Sequence, residues 1–226
     1  MRLPSCIALL LLSVMPAFAV SKPHTVALGV ARKEAYQPPD AAVRLKGSDA
    51  IMLRIRPLII DGHQKEWTTG DAHDITDRTY AIRRALRLND ALPGEAPHWI
   101  WQPGPWLTVD RSTGHITALH LPDFDPIVSE AVWFRDYAAY CGVNTTAKAQ
   151  TLVAVVAQVG ARRAVVQRSL GKWSPQQHAQ PVCAPAQWQR QPVRVHLQPA
   201  DSAGVDLEIV GASSSLIEEN DTADAP

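Results

Sequence analysis

Apolar residues in this chain recur at every second position, in short runs cut by proline and glycine, and that rhythm excludes most helical folds. Successive side chains on a strand point to opposite faces, so a period of two marks a half-buried strand, whereas a helix repeats at three and four. Ile51, Leu53 and Ile55 alternate with Met52, Arg54 and Arg56. Asp61-Gly62 then offers a type I′ turn into a return strand over 63–68. Tyr80, Ile82, Leu86 and Leu88 share one side of the next strand and Arg83 and Arg87 the other, with Arg84 interrupting the apolar side. A second hairpin is expected over 98–110, turning at Pro103-Gly104, and a further one through 110–114 into 116–119, where Gly114 suits the left-handed conformation. Residues 132–134 pair with 137–143, Gly160 separates the apolar runs 152–159 and 164–170, and 193–197 and 205–210 close the series.

Two segments compete for helix. Residues 81–88 lack sustained i, i+3, i+4 spacing, and 147–157 are rich in valine, so both are assigned to strand. With 18 prolines and 12 glycines as punctuation, the expected fold is all-β, with antiparallel hairpins forming a sandwich or a partial propeller-like stack. Residues 35–47, with Pro38-Pro39, read as an irregular connection. No break divides 20–210, which is expected to be a single β-rich domain.

The two ends read differently. Arg2, the apolar run 7–14 and Ala17-Phe18-Ala19 give residues 1–19 the form of a secretory signal peptide. That run falls short of the ~18–20 residues of a spanning helix, and no later segment reaches such a length without a charge. The mature chain is therefore expected to be periplasmic or secreted, with no transmembrane segment. Cleavage removes Cys6 and leaves Cys141 and Cys183, an even pair that predicts a disulfide in an oxidising compartment. At the other end, Gly211 and three serines precede Glu218, Glu219, Asp221 and Asp224 with no lysine or arginine, which predicts a disordered acidic tail over 211–226. The whole chain balances 22 Lys+Arg against 22 Asp+Glu, which excludes a general nucleic-acid binder, and its 46% hydrophobic content excludes a disordered body.

Three constellations are candidates for function. If Pro103-Gly104 is a two-residue turn, Trp101 faces Trp106 and Trp99 lies on the same face. Such a line of indoles stacks on sugars or anchors a protein; its alternative is a Trp-rich core in a chain with only three Phe. The loop 70–78 gathers Asp71, His73, Asp74 and Asp77, which could hold a divalent cation or supply a His–Asp general base. Its spacing matches neither an EF-hand nor a zinc signature, and Asp and Thr are ordinary loop residues. Arg83, Arg84, Arg87, Arg162, Arg163 and Arg168 either meet anionic envelope polymers or form a solvated face. Ser169-Leu-Gly-Lys172 fits S-x-x-K without the companion elements of penicillin-interacting enzymes. No G-x-S-x-G, H-E-x-x-H, P-loop or dinucleotide fingerprint occurs, and no cofactor is expected.

The run 131–142, with Trp133, Asp136 and Tyr140 placed as a Trp, a turn Asp and a strand-ending aromatic, resembles the inner strands of TolB-type and WD40-like β-propeller blades. More broadly, Leu58-Ile-Ile-Asp-Gly, Trp67-Thr-Thr-Gly, His73-Asp-Ile-Thr-Asp-Arg78, Trp106-Leu-Thr-Val-Asp-Arg111 and the Cys141 strand are similar to a group of uncharacterised exported bacterial proteins. That resemblance implies a shared β-rich fold and export, and it brings no activity. The expected function is a non-enzymatic interaction module of the cell envelope with a protein partner, working through an exposed face or edge strand. A glycan-binding module on the Trp face is the alternative, and a metal-assisted hydrolase at His73, Asp74 and Asp77 a third reading.

Overall fold

Every regular element of the computed structural model, which describes residues 23–36, 51–174 and 182–210, is a β-strand. The signal at 1–19, residues 37–47 of the irregular connection, and the tail at 211–226 lie outside the described residues. The strands are β1 (Val26–Leu28), β2 (Arg32–Tyr36), β3 (Ile51–Ile60), β4 (His63–Asp74), β5 (Thr79–Asn89), β6 (Trp99–Asp110), β7 (Ile116–Ala118), β8 (Val132–Phe134), β9 (Tyr137–Thr145), β10 (Gln150–Gln158), β11 (Val166–Lys172), β12 (Gln187–Gln189), β13 (Arg194–Leu197) and β14 (Val205–Glu208). They form a seven-stranded, a four-stranded and a three-stranded sheet.

The first sheet runs β1-β3-β2-β6-β5-β4 with β7 beside β6, and β4 also pairs β3, so the path closes on itself. Every pairing is antiparallel except the short contact of β2 with β6 at Tyr36 and Trp101. Both helical competitors are strand, as alternation and valine content predict.

Three boundaries differ from the sequence reading. Ala35 and Tyr36, expected in the irregular connection, end β2 and pair with Met52 and Ile51 of β3. Pro103-Gly104 is not a turn, because β6 runs unbroken from Trp99 to Asp110 along β5. Its register shifts between Arg83/Ala85, which face Trp106 and Pro103. One extra residue of β6 is thus accommodated as a bulge, a position where proline's missing N–H costs no ladder bond. The hairpin turns instead at the other Pro-Gly pair, where Glu95 N–H donates to the Leu92 carbonyl and Gly94 sits at φ 91°. Proline second and a positive-φ glycine third are what a type II turn requires. The return strand after Asp61-Gly62 also exceeds 63–68. It continues to Asp74 through an irregularity between Thr69 and His73 that includes Gly70 at φ 72°.

The three sheets stack in layers. Ala81 and Trp106 of the first, with Ile75 of the β4–β5 turn, pack on Ala138, Tyr140, Val153, Val155 and Ala157 of the second. The alternate residues Ala139, Cys141, Leu152, Ala154 and Val156 face Val195, Leu197, Val205 and Leu207 of the third. The central strands β9 and β10 are therefore buried on both sides, which explains why 137–142 and 152–157 read as continuous apolar runs rather than alternating ones. The Cys141–Cys183 disulfide ties β9 to the third layer. No helix among the described residues is long and apolar enough to cross a membrane.

The segment between β7 and β8 lies across β9. Gly142 leaves room for it: a Cβ there would stand 2.2 Å from the Asp123 carbonyl oxygen. Tyr140 Oη donates to the Pro122 carbonyl at 2.6 Å, and Ser129 Oγ both donates to the Cys141 carbonyl and accepts its N–H. These bonds set Phe124 and Glu130 beside the first sheet.

Candidate functional site

The bulge in β6 restores the face-sharing expected of the three tryptophans, though by another route. Trp99, Trp101 and Trp106 oppose Asn89, Arg87 and Arg83, which lie at alternate positions of β5. Their surroundings differ. Trp101 is buried with Ile55 and Ala85 and meets Trp67 edge-on at 5.5 Å, while Trp106 is buried at the junction with the second sheet, edge-on to Trp133 at 5.1 Å. Trp99 alone of the three is exposed, at 52%, with the Arg87 guanidinium 5.0 Å from its ring centre. Arg32 caps the inner pair, lying 4.6 Å from Trp67 and 5.9 Å from Trp101.

The residues read as a loop over 70–78 sit mainly on β4, and their contacts go to three separate partners. Asp71 is exposed, 3.7 Å from Arg56. His73 donates from Nε2 to the Arg135 carbonyl at 2.6 Å and stacks on Trp133, joining the first and second sheets. Asp74 accepts from Arg111, whose guanidinium also donates to the Asp77 carbonyl and lies over the Tyr80 ring. Among the described residues no three His, Cys, Asp or Glu side chains converge as metal ligands. A depression of about 340 Å³ opens elsewhere, lined by Pro23, His24, Thr25 and Asp61, with His24 Nδ1 2.6 Å from the Asp61 carboxylate.

Two features escaped the sequence reading. The first is Arg83, expected on a solvated face yet only 6% exposed. It lies between Ala81 and Ala85 on one side of β5, along a stretch where the other side, with Tyr80 and Ile82, is buried as well. Its Nε donates to the Gly104 carbonyl in the bulge at 3.1 Å. Nη1 stands 3.6 Å from the exposed Glu130 carboxylate, and Nη2 is buried without an acceptor. Burial pulls its pKa below the usual arginine value, with Glu130 and Tyr36 acting in the opposite sense. Burial likewise raises the Tyr36 phenol, which Arg83 lowers and Glu130 raises, so the three groups share one neighbourhood. A buried cation with an unfilled N–H is costly and seldom kept without a role. Arg83, Arg84 and Arg87 are indistinguishable by type, and Arg83 shares its face of β5 with the exposed Arg87; what buries Arg83 is its place opposite Trp106, at the end of the strand where the second sheet and Phe124 pack on the first.

The second feature is β11. Among the described residues it pairs with β10 alone and ends the second sheet. Arg162, Arg163, Arg168 and Lys172 are all exposed on this strand and the turn before it, and 160–174 holds no Asp or Glu. Spacing alone hides this, because it does not say which strand lies outermost. No protein-family model, curated protein or solved structure matches the chain.

Proposed function

We propose that this chain is an exported, non-enzymatic interaction module of the cell envelope that adds an extended, acidic segment of a protein partner to the edge of β11. The observation that carries this reading is the one-sided pairing of β11 among the described residues, together with the exposed cations of a stretch, 160–174, that holds no Asp or Glu. An open edge supplies a row of unpaired backbone groups to an incoming strand, and side-chain charge chooses which strand is accepted. Cations repel a second copy of the same edge, so Arg168 and Lys172 disfavour self-pairing while favouring a carboxylate-rich partner. Because β10 is held from both faces, β11 is backed by a stiff template, which lowers the ordering cost of adding one more strand.

The test is photo-crosslinking in cells from a reactive residue placed at Ser169 of the exported, tagged protein. One reproducible protein adduct is expected, strongly reduced when Arg168→Glu and Lys172→Glu are combined. Adducts of glycan alone, or a protein adduct indifferent to that charge reversal, would overturn the reading.

A further inference from the structure

We infer that Arg83 is the base of a carboxylate-binding site, with Glu130 as the internal group that competes for it. This rests on the geometry between the first and second sheets and is independent of the β11 reading. Gly104 takes the Nε–H and fixes the guanidinium in the bulge. The end-on edge, Nη1 with Nη2, is left without a short hydrogen bond: Nη2 has no acceptor, and Glu130 stops 3.6 Å from Nη1. That edge matches the two oxygens of a carboxylate in a bidentate pair.

Besides the Glu130 carboxylate and the Tyr36 phenol, the surroundings bring further donors. Trp106 faces Arg83 directly across the β5–β6 ladder, and Trp133 packs against Trp106. The indole Nε1–H of each is buried without a partner. The Phe124 ring, 5.8 Å from the guanidinium carbon, forms an apolar wall. Three buried groups with unfilled N–H bonds favour an acceptor-rich anion over a cation or a neutral donor. The Glu130 side chain is 80% exposed against 7% for Arg83, so it stands on the solvent side and is the group an incoming carboxylate displaces.

The ligand is a small carboxylic acid or the free carboxylate of a peptide end, and the experiment separates the two sources. Acetate, a short peptide with a free C-terminus and the same peptide amidated are titrated at constant ionic strength. Intrinsic Trp fluorescence and the melting temperature are followed. Saturable shifts with acetate and the free peptide, absent with the amide, are expected. Saturation by acetate with no gain from the peptide assigns the site to free acids. Glu130→Gln should tighten binding several-fold, which a purely structural arginine does not predict, and Arg83→Met should abolish it. If Arg83→Met does not fold, the Glu130→Gln comparison decides. No saturable response in either the natural chain or Glu130→Gln, which would leave the donors to water alone, overturns the proposal.

Discussion

Single residues in this molecule are constrained chiefly by what lies across the next layer. Gly142 is the sharpest case, since any Cβ there meets the Asp123 carbonyl. Gly142→Ala should cost about 3 kcal/mol, the upper end of overpacking penalties. Urea unfolding at unchanged m-value would measure it. Tyr140, buried with its Oη on the Pro122 carbonyl, has its pKa driven far above that of a free phenol by desolvation, with Asp123 acting in the same sense. Tyr36, Tyr80 and Tyr137 are raised as well, each first by burial. A raised native pKa means that the folded state keeps a proton the unfolded chain loses, so stability is intact below the ordinary phenol range near pH 10 and falls as pH climbs through it. Spectrophotometric titration should therefore show tyrosinate appearing together with unfolding; early, stepwise ionisation in a folded protein would contradict this. The tryptophans separate in the same way: Trp101→Ala should cost about 3–5 kcal/mol and Trp99→Ala well under 1 kcal/mol. Thermal or denaturant melts of the two variants check that contrast.

The longer strands were legible from their apolar runs, whereas the short strands β1, β2 and β12, with too few apolar residues to show a period, were not; ends were legible where turn chemistry is unambiguous. Asp61-Gly62 and Gly114 adopt the positive φ expected of them. The Pro-Gly pairs show where the limit lies. Pro93-Gly94 and Pro103-Gly104 look alike in sequence, yet the first closes the hairpin and the second lies in a bulge. What separates them is the pairing of Arg84 and Leu86 across from Gly104, whose absent Cβ would otherwise stand 2.8 Å from Leu86 Cγ and 3.2 Å from the Arg84 carbonyl. That information is tertiary. Gly94→Ala should therefore cost only about 1 kcal/mol through its positive φ, whereas Gly104→Ala should cost more and also loosen Arg83, whose Nε bonds the same residue. Comparative melts of the two variants, with quenching of Trp106 as a local readout, would check the order. Arg83 was obscured for the same reason, because Arg87 lies on the same face of β5 and only the packing of the second sheet over the Trp106 end buries one and not the other.

At the scale of the whole molecule, three stacked sheets place two doubly buried strands at the centre and, among the described residues, leave β11 paired on one side only. Cys141 and Cys183 were legible as a pair by simple arithmetic, and their bond joins the middle sheet to the third layer across a sequence separation of 42. Replacing both cysteines should lower stability by about 4 kcal/mol on the chain-entropy estimate for such a loop, and a melt of the double variant against the oxidised chain would show it. The layer order was not legible, because a sandwich and a blade-like stack present the same series of short strands. The central claim is that the edge of β11 stands open, and residue-resolved amide hydrogen exchange on the purified protein tests it most directly. Along β9 and β10 the amides should exchange only with global unfolding, while alternate amides of β11, those directed away from β10, should exchange orders of magnitude faster. Uniform protection along β11 would mean that the edge is already covered, and it would contradict the account.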